Sequence, residues 1–345
     1  MNSRFASLLD YQNYAKNILS KNIYESLEDG NGDQVTKSEN EEDFVRIKMK
    51  LRGMANMKYF KGIEKEFNLK KVSSPIVMGN LPLQGRFCYD GEIAAAQAAK
   101  ELGIIYTLDC HKSSKCQDQI MKESVGGAKI LMLSPAQTGQ KRTEIIEKFK
   151  TNQDVIAFAI NLGLESQTDS YQKRHGKQDQ DALEQSQSAF SLNDLKSLKI
   201  SVGSLPLIVK GIMNKEDALL AIQNGADAIW ISNVGGRSLD TQPSAISVLK
   251  AISQTVRKAN PQVQIFIDGG FRRGTEVIKA ISLGADFVCL GRPIAWGLVF
   301  KGKDGLKEMI ELLTEELKLG MVLTNNMSIN EINENNVIHS YRYRL

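Results

Sequence analysis

Three groups that could bind or transfer charge follow short apolar runs in the C-terminal half of the chain. Lys210 ends the run LPLIVK, Arg237 follows AIWISNVGG, and Asp268 opens the segment DGGFRRG. A lysine buried at the end of a strand needs an anionic partner, either Asp268 or a bound ligand. Val234 is unusual, because an aliphatic side chain takes no part in proton transfer and yet stands at the mouth of such a run.

Two glycine–arginine segments indicate a phosphate site. They are residues 268–274 (DGGFRRG) and 291–293 (GRP). Glycines let backbone N–H groups approach phosphate oxygens, helix N-termini present a positive dipole, and Arg272 and Arg292 offer two-pronged charged hydrogen bonds. Tight turns with surface arginines would contain the same residues. Two such segments, at the two positions where barrels bind phosphate, favour phosphate binding.

The elements that must position these groups form a regular alternation from residue 75 onward. Short apolar, strand-like runs alternate with amphipathic, helix-like segments. The runs cover residues 75–80, 104–108, 129–134, 155–162, 206–212, 228–233, 263–270 and 287–293. Eight such units predict an α/β fold, a closed (β/α)₈ TIM barrel rather than a doubly wound sheet.

The remaining segments predict a cap, a loop and a tail around the barrel. Residues 1–70 are predicted to form an N-terminal helical cap, with one or two helices over 8–27 and an irregular or hairpin segment over 44–62. The barrel is assigned to 71–325 and a polar tail to 326–345, after a helix over 304–319. The polar stretch 164–188 predicts a mobile loop at the catalytic face.

Composition narrows the class of protein. The 345 residues are 42% hydrophobic and 24% charged, with a net charge of +4 that is spread along the chain, so we expect no nucleic-acid partner. No apolar run approaches a membrane span. Cys110 and Cys116 flank His111 without a second ligand pair, so no metal site is expected. The four cysteines suit an intracellular location, cytoplasmic or, from the imperfect C-terminal tripeptide Tyr343-Arg344-Leu345, peroxisomal.

The segments VKGI…EDALLAIQNGADAIWISNVGGRSLD and IDGGFRRGTEVIKAISLGADFVCLGRPIAWGL closely resemble the FMN-dependent 2-hydroxy-acid oxidase and dehydrogenase family, such as glycolate oxidase. A looser resemblance extends over almost the whole chain. It implies a (β/α)₈ barrel that binds FMN and forms homo-oligomers. It also implies that Lys210 faces the N1/O2 edge of the flavin and that Arg237 clamps the substrate carboxylate. Its implied FMN contacts are Lys210, Ser232, Asp268, Gly270, Arg272, Gly291 and Arg292.

The chain departs from the family pattern at the residues that carry the reaction. The family motif S-N-H-G-[GA]-R-Q-L-D has a histidine that removes a proton from the substrate, and Val234 stands in its place. The resemblance gives Asp268 a second role, orienting that histidine. Other family contacts with flavin or substrate are replaced at Ser26, Asn80, Asp109, Met132, Ser134, Ala159 and Thr168. His111, after the second strand, is a weak substitute for the base.

These departures predict a degenerate family member. We expect weak or absent FMN binding, loss of ordinary hydroxy-acid oxidation, and a role as a pseudoenzyme in a homo-oligomer or beside an active paralogue. A small carboxylate is a possible ligand. The alternative is an active FMN-dependent oxidoreductase that acts on a small 2-hydroxy acid or another carboxylate with a non-standard base. Another FMN barrel chemistry, such as isopentenyl diphosphate isomerisation, ranks last, since no diphosphate pocket is evident.

Overall fold

The computed structural model describes residues 5–53, 59–163 and 190–339. Three helices come first: α1 (Leu8–Ile18), α2 (Lys21–Glu28) and α3 (Val35–Arg46). Three short strands follow: β1 (Ile47–Met49), β2 (Lys65–Phe67) and β3 (Lys70–Val72), of which β2 and β3 pair as an antiparallel hairpin. Of these elements, α2 and α3 cover part of the barrel end at which the strands terminate.

Eight parallel strands close into a barrel, which confirms the predicted (β/α)₈ fold. Their inward and outward faces are both buried, so each reads as a continuous apolar run. They are β4 (Ile76–Met78), β5 (Ile105–Asp109), β6 (Lys129–Leu133), β7 (Val155–Asn161), β8 (Leu207–Ile212), β9 (Ala228–Ile231), β10 (Gln264–Ile267) and β11 (Phe287–Leu290), and β11 pairs back onto β4.

Helices connect the strands around the outside of the barrel. They are α4 (Glu92–Leu102), α5 (Gln117–Glu123), α6 (Gly139–Phe149), α7 (Leu192–Val202), α8 (Lys215–Gln223), α9 (Ala245–Ala259), α10 (Gly274–Ser282) and α11 (Arg292–Leu323). Several begin at a side chain that accepts a hydrogen bond from the first turn, as Thr138, Asn214 and Ser244 do.

The barrel interior is filled by aromatic side chains below the catalytic end. Phe266 stacks on Phe287 with ring centroids 4.8 Å apart, and Trp230 stacks on Phe266 at 5.8 Å. Phe67 of the β2–β3 hairpin meets Phe266 edge-on at 5.2 Å. The hairpin therefore closes the far end of the barrel, and the open end is left to the site.

Some boundaries differ from the sequence predictions. Among the described residues of the segment 44–62, predicted to be irregular or a hairpin, α3 runs to Arg46 and β1 follows, and the β2–β3 hairpin lies beyond this segment, at 65–72. Within the predicted polar tail, β12 (Val337–His339) pairs with β1. The helix predicted over 304–319 is the second part of α11, which has non-helical backbone at Lys301 and Gly302. The predicted mobile loop 164–188 lies outside the described residues.

Across the described ranges, none of the helices combines the length and the apolar character needed to cross a bilayer.

Candidate functional site

A cavity of about 190 Å³ opens at the carboxyl ends of the barrel strands. In barrels of this kind the loops at this end build the active site. One wall comes from α2 and the loop after β4, and the opposite wall from the loops after β9, β10 and β11. The charged residues that line it are Arg86, Lys210, Arg237, Asp268, Arg272 and Arg292. With five cations and one carboxylate, the cavity is suited to an anionic ligand.

A buried network crosses the floor of the cavity. Lys210 Nζ lies 3.2 Å from Asp268 Oδ2 and donates to Ser232 Oγ at 2.7 Å, and Ser232 donates to Asp268 Oδ1 at 2.7 Å. Trp230 Nε1 donates to Asp268 Oδ2 at 2.9 Å. Lys210 thus has the salt bridge to Asp268 that the sequence left open as one of two possibilities. Three side chains thus hold Asp268 in place.

Cys289 completes the floor from β11. Burial raises the pKa of its thiol well above the usual range, and the charge of Asp268 raises it further, while Lys210 acts in the opposite direction. Because the thiolate is the nucleophilic form, this cysteine is chemically inert at neutral pH.

The turn after β9 brings Val234 to the cavity. Its φ of 56° lies in the left-handed region, which is rare for a β-branched residue. Asn233 closes the turn by accepting from Gly236 N at 3.1 Å, and the Asn233 and Asn40 amides bond to each other in both directions at 2.9 Å. The turn is therefore fixed from α3, and it holds Val234 in place regardless of what its side chain contributes.

Arg237, predicted to clamp a carboxylate, contacts α2 instead. Its Nη2 donates to the carbonyl oxygens of Ser26 and Leu27, both at 2.7 Å. Helix C-termini leave carbonyl groups without partners, and a cation there is favourable. A guanidinium binds a carboxylate with two parallel hydrogen bonds, either from Nη1 and Nη2 or from Nε and Nη2. Both pairs of donors include Nη2. In this arrangement neither pair of donors in Arg237 is free for a carboxylate.

Arg292, predicted to bind phosphate, contacts the same end of α2. Nε donates to Leu27 O at 3.1 Å, and Nη2 donates to Asp29 O at 2.9 Å and Gly235 O at 3.0 Å. Burial, and then the charge of Arg237, lower the pKa of Arg292 to about 10. The two arginines thus join the cap to the β9 and β11 loops.

The predicted phosphate end is partly covered by α3. Arg272 donates through Nη2 to Glu41 at 2.8 Å, whereas its buried Nε has no partner among the described residues. Gly270 has φ 80°, and a Cβ there would lie 1.9 Å from Asn40 O, so only glycine fits beneath α3. At Gly291, by contrast, a Cβ would meet nothing within 4 Å. Open space therefore lies beside Gly291.

The described residues predicted to act at the ends of β5 and β7 do not line the cavity. His111 is exposed and does not line the cavity within the described part of the chain. Burial lowers its pKa, against the opposing charge of Asp109. Asp109 Oδ1 accepts from the backbone N–H groups of His111 and Lys112, and Ala159 is a buried aliphatic residue. Thr168 lies outside the described residues.

Two residues of the site were missed by the sequence analysis. Trp230 lies within an apolar run, and its hydrogen bond to Asp268 has no signature there. Arg86 lies in a 3₁₀ turn, Gln84–Arg86, in the loop after β4, outside any motif. A search for cations near strand ends would have found Arg86, since β4 ends only eight residues earlier. Across the described residues, no group of three or more His, Cys, Asp or Glu side chains could hold a metal ion.

Comparison with known proteins identifies relatives over nearly the full chain. The profile of the FMN-dependent dehydrogenase family matches residues 15–162 and 138–339. A 2-hydroxyacid oxidase of Dictyostelium discoideum is 34% identical over 366 residues, covering 98% of this chain and 92% of the relative. Human 2-hydroxyacid oxidase 2 is 30% identical over 357 residues, covering 95% and 97%.

Solved structures extend the likeness to three dimensions. A mandelate oxidase crystal structure superposes with a TM-score of 0.88 at 25% identity, covering 97% of this chain and 98% of that one. A second mandelate oxidase structure, with benzoyl-formic acid, gives a TM-score of 0.86 at the same identity and coverage.

The polar groups of the cavity fit FMN chemically. Arg272 Nε and Asn80 Oδ1 are buried without partners among the described residues, and the space beside Gly291 admits a close ligand. The cavity is smaller than the roughly 300–1,000 Å³ of most small-molecule sites. The barrel fold, the match to the family profile and the unpartnered polar groups of the cavity all agree. The chain therefore belongs to the FMN-dependent dehydrogenase family, whose cofactor is FMN.

Proposed function

We propose that this chain is a degenerate 2-hydroxyacid oxidase, which holds FMN but does not oxidise 2-hydroxy acids in the usual way. The observation that carries the proposal is the side chain at the end of β9. Val234 lines the cavity, the sequence resemblance aligns it with the family's proton-abstracting histidine, and its side chain accepts no proton. General base catalysis raises the reaction rate about 10²–10⁴-fold, and the loss is larger when the base works together with other catalytic residues.

No other described residue of the cavity supplies the base. Asp268 is the carboxylate among them, and Lys210, Ser232 and Trp230 all bond to it. The raised pKa of Cys289 keeps that thiol protonated. The cationic residues are proton donors in their charged form. The alternative is an active oxidoreductase with a non-standard base. The described residues that line the cavity therefore offer no side chain to act as that base.

The groups suited to FMN lie in the C-terminal half of the barrel. Lys210 would hold an electron-rich edge of the cofactor, because its ammonium group is buried and fixed by Ser232 and Asp268. Arg272 and the backbone beside Gly291 would hold the phosphate. When bound, FMN supplies a two-electron acceptor. The engaged arginines and the small cavity support weak rather than tight binding.

The remaining assignments of this proposal concern assembly and location. We propose a homo-oligomer, or an assembly with an active paralogue, that takes no nucleic-acid or membrane partner. We propose an intracellular location, cytoplasmic or peroxisomal. The tripeptide Tyr343-Arg344-Leu345 that suggests the peroxisome lies outside the described residues.

Cofactor uptake and reduction test the proposal in sequence. The purified protein is titrated with FMN and followed by flavin absorbance, and we expect weak, saturable uptake. The loaded protein is then mixed without oxygen with glycolate, lactate and mandelate, and we expect the flavin to stay oxidised. Absence of FMN uptake would refute cofactor binding, whereas bleaching by a hydroxy acid would support the active alternative.

A further inference from the structure

Arg86 differs from the other cations of the cavity in having an unengaged guanidinium. It is exposed at the mouth, and no described residue accepts a hydrogen bond from its side chain. Lys210 is paired with Asp268, and Arg272 with Glu41. Arg86 is therefore the lining cation whose full set of donors remains available to a ligand.

The arginine expected to clamp a carboxylate has lost that geometry. Both Nη2 protons of Arg237 are donated to α2, which leaves neither pair of donors free. Arg292 likewise donates through Nε and Nη2 to main-chain carbonyls. A carboxylate that enters this cavity finds the strong bidentate contact only at Arg86 among these three arginines.

The loop that carries Arg86 is fixed in place. Gln84 N donates to Glu92 Oε1 at 3.0 Å, and Gln84 Nε2 donates to Leu81 O at 2.9 Å and to Tyr106 Oη at 3.1 Å. Gln84, Glu92 and Tyr106 are all buried. A buried, hydrogen-bonded anchor of this kind places Arg86 at the mouth before any ligand arrives, which lowers the cost of binding.

The surroundings of Arg86 are mainly apolar. Beside the polar Ser26 and Asn80, the lining residues of α2 and of the β4 loop are the apolar Ile23, Leu27, Leu81, Pro82, Leu83 and Phe87. Burial of apolar ligand surface against such walls contributes about 25 cal/mol per Å². Among the described residues, the mouth therefore combines the unengaged guanidinium of Arg86 with a mainly apolar rim, which suits an acid with an apolar body.

We propose that Arg86 binds the carboxylate of an apolar monocarboxylic acid at the mouth, in the role for which the family pattern uses Arg237. This deepens the proposed function and rests on it, because it names the ligand of the same cavity. The ligand needs no hydroxyl group, since the site offers no base to act on one.

Calorimetric titration with phenylacetate tests this assignment on protein with and without FMN. We expect phenylacetate to bind, and acetate and phenylacetamide to bind at least tenfold more weakly, because they lack the apolar body and the charge respectively. Arg86→Gln should weaken phenylacetate binding at least tenfold, and Arg86→Lys, which keeps a charge, should weaken it less. Lys122→Gln, on the exposed face of α5, is the matched control and should leave affinity unchanged.

The two proposals fail in different ways. Protein that takes up no FMN but binds phenylacetate through Arg86 refutes the cofactor assignment alone. Phenylacetate that does not bind the wild type, or binds Arg86→Gln as tightly as the wild type, overturns the assignment of Arg86. Loss of binding in a folded Arg237→Gln variant, with binding kept in Arg86→Gln, overturns it as well. Circular dichroism of each variant establishes that it is folded.

Discussion

At the ends of β8 to β10 polar side chains bond to one another across strands, whereas Asp109 after β5 and Asn161 after β7 bond to the backbone of their own loops. Lys210, Ser232 and Asp268 come from three successive strands and share one network. Asp109 instead accepts from its own following amides, and Asn161 accepts from Gly163 N at 3.2 Å.

The difference bears on the function of each half of the barrel end. A network that spans strands holds its groups ready for a ligand above it, which is what a cofactor site requires. Polar groups that bond to the backbone of their own loops stabilise those loops, and neither Asp109 nor Asn161 is among the residues that line the cavity. The contrast supports our proposal that the C-terminal half keeps cofactor binding while the N-terminal half lacks contacts that the reaction needs.

The largest expected effect is at the centre of the cross-strand network. Lys210→Met removes the ammonium group and leaves Asp268 with a charge that is largely buried, so we expect the free energy of unfolding to fall by about 3 kcal/mol. Urea denaturation followed by circular dichroism measures it. Lys148→Met breaks the exposed pair with Asp118, whose side chains are 50% and 57% exposed, and should cost less than about 1 kcal/mol. Equal losses would contradict the network's importance.

Trp230→Phe should have the next largest effect. The ring stays in the core, but Asp268 Oδ2 loses its indole donor, and a buried polar group left short of a partner costs about 1–3 kcal/mol. Trp296→Phe is the matched control, since Trp296 donates at 2.8 Å to Glu28, which lies outside the network of Lys210, Ser232 and Asp268. If both variants lose the same stability in urea, the place of Asp268 in that network is not the cause.

Arg237→Gln should loosen the cap without unfolding the barrel. The change removes the two bonds to Ser26 and Leu27, and charged hydrogen bonds contribute about 1.5–3 kcal/mol each. We expect amide hydrogen exchange in α2 to quicken at least tenfold, while exchange in the barrel strands stays within twofold. Arg86→Gln, at an exposed side chain without a partner in the described ranges, should leave α2 exchange as it is. Uniform acceleration over the whole chain would show that Arg237 supports the barrel itself.

A smaller effect is expected where the two halves meet on the outside. Glu101 of α4 bonds to Lys303 at 2.8 Å and Lys307 at 2.5 Å in α11, and these hydrogen bonds lower its pKa from 4.5 to about 2. Because the folded-state pKa is lowered, the stabilisation is fully present above pH 4.5 and is lost as pH falls through about 2. The melting temperatures of wild type and Glu101→Gln should differ slightly at pH 7 and converge toward pH 2. A difference that grows in acid would contradict the ion pair.

No gain of activity is expected from Val234→His. The new imidazole would find Asp268 already bonded to Lys210, Ser232 and Trp230, and Arg237 turned to α2. Anaerobic mixing of the FMN-loaded variant with glycolate, lactate and mandelate measures flavin bleaching, with Val234→Ala as the control. Turnover in the histidine variant alone would show that the loss at this position is the only one that matters.

The barrel could be predicted because its strands are buried on both faces. Runs such as AIWISN and VQIFIDGG are visible as apolar segments, and β9 and β10 lie within them. The short strands β1 and β12 are three residues each and pair across almost the whole chain, so no local pattern marks them.

The site was predictable in its residues but not in its contacts. Lys210, Asp268 and Arg237 all line the cavity, as the spacing suggested. The acceptors of Arg237 and Arg292 are main-chain carbonyl groups, which every residue type provides. These contacts therefore could not be predicted from the sequence. Arg86 was missed for the converse reason, because an exposed arginine in a loop has no pattern until the fold brings it to the mouth.

The positions of the two tryptophans have a practical consequence. The chain contains only two, and both contact charged residues of the cavity: Trp230 bonds to Asp268, and Arg272 lies 4.7 Å above the ring of Trp296. Indole emission responds to nearby charge and is quenched by energy transfer to a flavin. We therefore expect the intrinsic tryptophan fluorescence of the unlabelled protein to report whether the cavity is occupied. Trp230 would report from its floor, and Trp296 from its predicted phosphate end.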